Sequence, residues 1–249
     1  MLTKTRQGLP NEKLTEICLS PKKSINNRAL SNRVIEQMTR LNLPENNCKK
    51  CPRLAAFRTS NNLKHPEWHN APVNSFGSID SILLIVGLAP GLKGANRTGR
   101  PFTGDFAGDL LYPTLSKFRF ATGNYGRTAD DKFLLKECRI TNAVRCVPPK
   151  NKPTSNEINT CLPFLTSEIA NMPQLKIILA LGTIAHQATL RALGLKVGSH
   201  KFVHGSKHKI NTTLTLINSY HCSRLNTNTG RLKESMFHEV FREIRCLVD

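Results

Sequence analysis

The stretch SILLIVG at residues 81–87 is almost continuously apolar and rich in β-branched side chains. A run this short and this apolar is typical of a strand buried on both faces, as in a parallel sheet. Similar runs follow along the chain: RITNAV at 139–144, KIILALG at 176–182 and TLTLINS at 213–219. The sequence therefore predicts four strands in one central, mainly parallel sheet.

Segments with helical patterns separate or follow these strands. The letters TSNE at 154–157 form a capping box that opens one helix, and apolar residues recur at helical spacing over 237–244. Alternating strands and helices predict an α/β fold, a three-layer α/β/α sandwich with a central four-stranded sheet. Ligands of such folds bind beyond the carboxyl ends of the strands, so the loops after residues 86, 144 and 220 are the places to look for chemistry.

The domain organisation follows from length and local composition. At 249 residues the chain is long enough for one domain with a substantial core. Residues 1–28 are polar and basic, which predicts a weakly ordered N-terminal tail, and residues 29–249 are predicted to form the single folded domain.

The net charge is strongly positive, +19 from 36 Lys and Arg against 17 Asp and Glu. Such a field attracts polyanions, and nucleic acid is the first candidate because many dispersed cations release counterions on binding. A generally basic surface or an acidic protein partner stays open as an alternative. No apolar run approaches the length of a membrane span, and the first residues lack a secretory apolar segment, so we expect an intracellular, cytoplasmic protein.

Among the eight cysteines, Cys48 and Cys51 form a close CxxC pair, and Cys146 and Cys161 follow far downstream. A CxxC pair places two thiolates on one side of a soft metal, and two distant cysteines can complete the ligand set. Such a site would join the first part of the domain to its middle and contribute folding energy. Spacing alone leaves structural zinc, an iron–sulfur cluster and unrelated core thiols open.

A glycine-rich loop, GLAPGLKGANRTGRPFTGD at 87–105, follows the first strand. Its glycines would let the backbone approach a ligand closely, and exposed amides could bind a phosphate or a base carbonyl. The loop matches neither a Walker P-loop nor GxGxxG, which argues against a nucleotide cofactor. Taken alone, such a loop is also consistent with a plain connection.

Two further segments carry polar groups at the same edge of the predicted sheet. Asn142 lies near the end of the second strand, and its amide could read the edge of a pyrimidine, although a strand asparagine can equally be structural. The loop SYHCSRLNTNTG at 219–230 combines His221 with hydroxyls, an arginine and a leucine. This mixture could press into a DNA groove while His221 faces developing negative charge.

Together, GLAPG and NRTGRPFTGD in the first loop, the strand ending NAVRC, and SYHCSRLNTNTG resemble the three motifs of the uracil-DNA glycosylase superfamily. The similarity is greatest to the family 5 enzymes, also called type-5 or B-type, and it covers roughly residues 45–245. It implies DNA-repair hydrolysis of the N-glycosidic bond of uracil, and of other deaminated bases such as hypoxanthine. It also implies a four-iron, four-sulfur cluster held by Cys48, Cys51, Cys146 and Cys161.

The resemblance implies three catalytic residues, Asp105, His221 and Asn142. Phe102 would stack on the flipped base, Asn142 would contact its polar edge, and His221 would donate to its carbonyl oxygen. Other branches carry Asp, Asn or Glu where this chain has Leu88, so Asp105 is expected to hold the attacking water; Asp105 could also cap a helix beginning at residue 106. The substrate-binding residues expected from the motifs are Gly87, Ala89, Phe102, Asn142, Ser223, Arg224 and Asn226.

Two functions of different class follow. The favoured one is a base-excision glycosylase, and the alternative is a non-catalytic iron–sulfur protein that binds nucleic acid with the same fold. The expected partner is duplex DNA carrying a damaged base, with single-stranded DNA as a second candidate, no membrane, and a monomeric protein. Candidate phosphate contacts are Arg97, Arg100, Lys150, Lys152 and Arg224.

Overall fold

The computed structural model describes residues 41–249, which belong to one compact unit. The predicted tail at 1–28 lies outside the described residues and stays a prediction. In chain order the helices are α1 (Pro52–Lys64), α2 (Ala95–Thr98), α3 (Phe106–Lys117), α4 (Ser155–Ala170), α5 (Thr183–Ala192), α6 (Arg224–Asn228) and α7 (Glu234–Val248). The strands are β1 (Leu83–Gly87), β2 (Ala121–Thr122), β3 (Leu134–Leu135), β4 (Cys138–Asn142), β5 (Ile177–Leu181), β6 (Lys207–Lys209) and β7 (Thr215–Ser219).

The central sheet has the strand order β4-β1-β5-β7-β6. The pairs β1–β4, β1–β5 and β5–β7 are parallel, and only β6 runs antiparallel to its neighbour β7. All four predicted strands are therefore present and mainly parallel, as expected. β2 and β3 form a separate two-stranded antiparallel ribbon.

The prediction of a four-stranded sheet was wrong, because the sheet has a fifth strand, β6. β6 is the three-residue segment Lys207-His208-Lys209, and both of its lysines are exposed. A short, charged edge strand carries none of the apolar pattern that marks the buried strands. Charged side chains on an edge are also a common defence against unwanted strand pairing.

The predicted three layers are present, and β1 shows how they are built. Leu83 and Ile85 pack into one apolar cluster together with residues of α3 and α7. Leu84 and Val86 point the other way, into a second cluster with residues of α1, α4 and α5. Because neighbouring side chains of a strand face opposite sides, a continuous apolar run places a core on both faces of the sheet.

Two of the described helices, α3 and α4, begin at residues whose side chains cap them. Thr154 and Glu157 form the predicted capping box at the start of α4, each side chain bonding the other residue's backbone N–H. None of the helices in the described part of the chain is both long and apolar enough to cross a membrane.

Candidate active site

The three motif segments meet at the carboxyl ends of β1, β4 and β7. Gly87 is the last residue of β1, and its register partner across the parallel pair is Asn142, the last residue of β4. A Cβ added to Gly87 would overlap Oδ1 of Asn142 and lie 2.6 Å from Cζ of Phe102. A side chain at residue 87 would displace the Asn142 amide and the Phe102 ring, so this position requires glycine.

Asn142 is 3% exposed, and its carboxamide has no hydrogen-bond partner among residues 41–249. Neither amide atom of Asn142 is among the enclosed side-chain atoms that lack a partner in the described residues, so the carboxamide is not sealed off from the open edge of the sheet. The group lies at the ligand-binding edge of the sheet, where its NH2 can donate to an incoming molecule and its oxygen can accept from it.

Phe102 and His221 form the aromatic part of the site. Their ring centroids are 5.8 Å apart at an interplanar angle of 25°. Phe102 is buried and adopts a positive φ of 53°, which is unusual for a bulky residue. Gly182, which follows β5, lies beside His221: a Cβ placed there would be 3.5 Å from the histidine Cβ, an ordinary van der Waals distance.

The imidazole of His221 is held neutral. Burial lowers the pKa of His221 to about 4, so the ring carries no charge at neutral pH. Its Nδ1 is buried without a hydrogen-bond partner in the described part of the chain. The backbone carbonyl of His221 accepts a hydrogen bond of 2.8 Å from Nδ2 of Asn226. A neutral ring fixed by its backbone can donate one N–H to a ligand.

Asp105 lies against the glycine-rich loop and caps α3. Its Oδ1 accepts a hydrogen bond of 3.2 Å from the backbone N–H of Gly108. Asp105 therefore caps this helix, which is the second of the two roles expected for it. A Cβ added to Gly94 would lie 2.5 Å from Oδ2 of Asp105, and one on Gly91 would lie 3.1 Å from the same atom. Burial raises the pKa of Asp105 above its ordinary value.

Asp105 also lies near the histidine loop. Burial, and after it the charge of Asp105, raises the pKa of the Cys222 thiol, so this carboxylate lies within electrostatic range of the residue that follows His221. The structure thus brings Asp105, Phe102, Asn142 and His221 to one edge of the sheet, while their roles stay predictions.

The remaining predicted contacts have different environments. Ala89 is half-buried and packs against the second apolar cluster, and the carbonyl of Leu88 bonds to Val144. Ser223 precedes α6 without capping it through its side chain. The side-chain amide of Asn226 donates to the backbone carbonyl of His221 and so stabilises the loop. Substrate binding by Asn226 stays a prediction.

Two neighbouring side chains of α6, Arg224 and Leu225, are exposed. Leu225 is 72% exposed, and the Arg224 guanidinium lies 5.3 Å from the centroid of the Phe106 ring. An exposed leucine next to an arginine fits the predicted contact with a DNA groove.

The predicted phosphate contacts divide into two groups. Arg97, Lys150, Lys152 and Arg224 are exposed, as a phosphate contact requires. The prediction for Arg100 was wrong, because its side chain is buried in a bidentate ion pair with Asp131, at 2.7 Å for each oxygen. The hydrogen bond from Arg100 lowers the pKa of Asp131 to about 2. Breaking such a buried pair typically costs about 3–5 kcal/mol, so Arg100 is a structural residue.

The four predicted metal ligands line one cavity. Cys48, Cys51, Cys146 and Cys161 surround it together with apolar side chains. Burial, followed by the charges of Cys161, Glu157 and Cys48, raises the pKa of the Cys51 thiol to about 11. Burial likewise raises the pKa of Cys146 to about 12. Within residues 41–249, no group of three or more Cys, His, Asp or Glu side chains is arranged to hold a single metal ion.

A buried polar network connects this cavity to the sheet. The backbone N–H of Arg145 donates to Sγ of Cys161 at 3.3 Å. The Arg145 guanidinium bonds Glu168 at 2.5 Å, and Glu168 also accepts from Arg139 of β4 at 2.6 Å. Because Glu168 is fully buried, the two arginines supply the positive charge that its carboxylate needs.

Sequence reasoning missed Tyr125, which lies beside Phe102. The Tyr125 hydroxyl donates to the Phe102 carbonyl at 3.3 Å and accepts from the Gly104 N–H at 3.1 Å. Tyr125 stands in the segment GNYGRTADDKF at 123–133, outside all three motifs. Nothing local in that segment signals a contact with the first loop.

Comparisons with known proteins show the family to which this chain belongs. Residues 75–245 match the family model described as the uracil DNA glycosylase superfamily. The chain belongs to this superfamily. Among its relatives is the type-5 uracil-DNA glycosylase of Thermus thermophilus, 41% identical over 80% of this chain and 93% of the relative. The type-5 uracil-DNA glycosylase of Mycobacterium leprae is 38% identical over 80% of this chain and 91% of the relative. That of Pyrobaculum aerophilum is 36% identical over 79% of this chain and 87% of the relative. Within the superfamily, these relatives place the chain in the type-5 group.

Proposed function

We propose that this protein is a DNA-repair glycosylase that hydrolyses the N-glycosidic bond of uracil in DNA and leaves an abasic site. The carrying observation is the carboxamide of Asn142, which lies together with the Phe102 ring against Gly87 at the carboxyl edge of the sheet. The names of the relatives, uracil-DNA glycosylases of type 5, support the same reaction.

The target base must leave the duplex before it can reach this site. Stacking on the face of Phe102 would compensate part of the lost base stacking. Uracil presents a carbonyl beside a ring N–H, and the Asn142 amide can donate to the first and accept from the second. Hypoxanthine carries the same pair of groups, so we propose it as a second substrate.

His221 would stabilise the leaving base. As the C1′–N1 bond breaks, its electron pair moves onto the base, and negative charge develops on the base carbonyl oxygen. A neutral imidazole can donate its N–H to that oxygen, and a donor stabilises developing negative charge most strongly in a buried site.

Asp105 would hold the water that attacks C1′. The water oxygen forms the new bond to the sugar, and the proton it releases passes to the carboxylate. The same negative charge offsets the cationic character of the sugar in the transition state. Leu88 is apolar and cannot orient water, which leaves this task to Asp105. Capping α3 and holding water are compatible, because Asp105 uses Oδ1 for the cap and its second oxygen faces the loop.

We further propose that Cys48, Cys51, Cys146 and Cys161 hold a four-iron, four-sulfur cluster with a structural role. Their convergence on one apolar cavity and the N–H···S bond from Arg145 to Cys161 fit such a group, because clusters are bound by thiolates with backbone donors around them. A cluster distributes its ligands over several iron atoms, which suits four cysteines that line one cavity without being arranged to hold a single ion. When bound, it would supply a covalent connection among the segment before α1, helix α4 and the loop after β4.

The direct test is incubation of the purified protein with duplexes that contain uracil or hypoxanthine, followed by alkali to cleave at abasic sites. Strand cleavage that depends on the damaged base is the expected result. Tight binding of these duplexes without base release would instead support the non-catalytic nucleic-acid-binding function and contradict the proposed activity.

A further inference from the structure

The backbone of Phe102 has a conformation that needs external support. A positive φ is costly for a bulky side chain and persists only where neighbouring groups enforce it. The position of this ring matters, since it lies against Gly87 and near His221, at the place proposed for the flipped base.

The segment 123–133 supplies that support through Tyr125. The Tyr125 hydroxyl bonds the two peptide groups on either side of Thr103, because it accepts from the N–H of Gly104 and donates to the carbonyl of Phe102. Gly108 of α3 leaves room for this contact, because a Cβ on Gly108 would overlap the Phe102 carbonyl oxygen and lie 2.5 Å from the Tyr125 hydroxyl oxygen. The hydrogen bond between Tyr125 and Phe102 therefore depends on a glycine at this position of the helix.

Tyr125 is itself fixed in place. Its ring stacks on Tyr112 with centroids 4.4 Å apart, and the Tyr112 hydroxyl bonds the Pro101 carbonyl at 2.5 Å. Asp131 accepts from the backbone N–H groups of Gly126 and Phe133 while it binds Arg100. The Arg100–Asp131 pair thus joins the first motif to the segment that carries Tyr125. Burial raises the pKa of Tyr125 to about 12, so its hydroxyl remains a donor at working pH.

We propose that Tyr125 is a positioning residue for the base pocket, and that its hydroxyl holds the Phe102 ring at the distance and angle needed to stack on a flipped base. This inference rests on the proposed glycosylase function. It assigns a role in the reaction to a segment outside the three motifs.

The test is Tyr125→Phe, which removes one hydroxyl and keeps the ring that stacks on Tyr112. Loss of two hydrogen bonds to the Phe102–Gly104 turn should slow single-turnover uracil excision about tenfold. Inhibition by free uracil should weaken as well, because the free base would use the same stacking surface. Affinity for an undamaged duplex should remain unchanged, since phosphate contacts dominate it.

Thr189→Val is the control. It removes a buried hydroxyl that donates to the Ala185 carbonyl at 2.9 Å within α5, outside the three motifs, so rate and uracil inhibition should stay at wild-type values. Tyr112→Phe is a second variant, which removes the adjacent bond to Pro101 and should give the same pattern if Tyr125→Phe cannot be folded. Each rate is divided by the fraction of active enzyme molecules, which is measured by titration.

Two results would overturn the inference. One is wild-type rate and wild-type uracil inhibition in Tyr125→Phe. The other is a reduced rate explained entirely by fewer active molecules, which would mean that Tyr125 serves folding alone. Both are distinguishable from failure of the proposed function, because in that case the wild-type protein itself would release no uracil.

Discussion

Gly87 and Asn142 are register partners at the carboxyl ends of β1 and β4, and the missing Cβ of the glycine is what admits the asparagine amide. The same missing atom leaves room for the edge of the Phe102 ring. The site is therefore shaped by an absent side chain as much as by the polar groups around it.

Gly87→Ala should displace both Asn142 and Phe102 and slow uracil excision about a hundredfold, because misplacement by about 1 Å can cost that much. Single-turnover excision measures the effect. Gly198→Ala is the control, since a Cβ there would meet no atom within 4 Å. Unchanged excision in Gly87→Ala would show that the amide and the ring are not needed in their present places.

Asp105→Asn separates the two roles of Asp105. Asparagine still caps a helix, so thermal stability should be close to that of the wild type, while loss of the carboxylate should reduce excision about a hundredfold to a thousandfold. Asp105→Ala should lose excision equally and, in addition, about 1 kcal/mol of stability from the cap. DNA binding should be largely intact in both. Near-normal excision by Asp105→Asn would mean that another group, such as a loop carbonyl, holds the water.

His221→Ala should slow excision about a hundredfold or more and leave DNA binding largely intact, because the lost donor acts on charge present only in the transition state. The pH profile gives an independent check. With the pKa of His221 lowered to about 4, the ring stays neutral as pH falls through the ordinary histidine range, so the wild-type rate should show no histidine break near pH 6.5. The rate should instead fall as pH decreases through the raised pKa of Asp105, where the carboxylate takes up a proton. A histidine break that disappears in His221→Ala would contradict the neutral ring.

Cys146→Ser and Cys161→Ser should each lower the iron and sulfide content of anaerobically purified protein and reduce its thermal stability, because cluster binding contributes folding energy. Cys246→Ser is the matched control, since Cys246 is exposed on α7 and away from the cysteine cavity. Wild-type protein should be brown. Stoichiometric zinc without iron would rule out the cluster and leave the connecting role of the cysteines intact.

DNA affinity should fall steeply with salt, and Arg224→Ala should reduce the slope of log K against log salt by about one while weakening binding to all sequences alike. Arg242→Ala on the exposed face of α7, where Arg242 pairs with Glu239, is the control and should leave the slope unchanged. Binding that stays flat as salt is raised would contradict the predicted phosphate contacts.

Much of the fold is legible in local sequence. The four buried strands, the three layers and the capping box of α4 are signalled by apolar runs, helical spacing and one side-chain pattern, all of which depend on near neighbours. The fifth strand, β6, was missed for the same reason, because an exposed antiparallel edge strand needs no apolar pattern.

The candidate site divides in the same way. The motifs alone predicted roles for Phe102, Asp105, Asn142 and His221, since each stands in a recognisable segment. They could not show that Arg100 is buried against Asp131 and not available to DNA, because that pair joins residues far apart in the chain. The contact of Tyr125 with the Phe102 carbonyl is likewise invisible in either segment by itself.

The sequence by itself determined which segments become strands and helices and which residue types reach the carboxyl edge of the sheet, because periodicity and turn chemistry act locally. Only the tertiary structure decided which of these groups are buried, paired or left free for a ligand. Burial and ion pairing arise when distant segments pack together, and it is this packing that leaves the Asn142 amide unpaired, keeps His221 neutral, and ties Arg100 to Asp131.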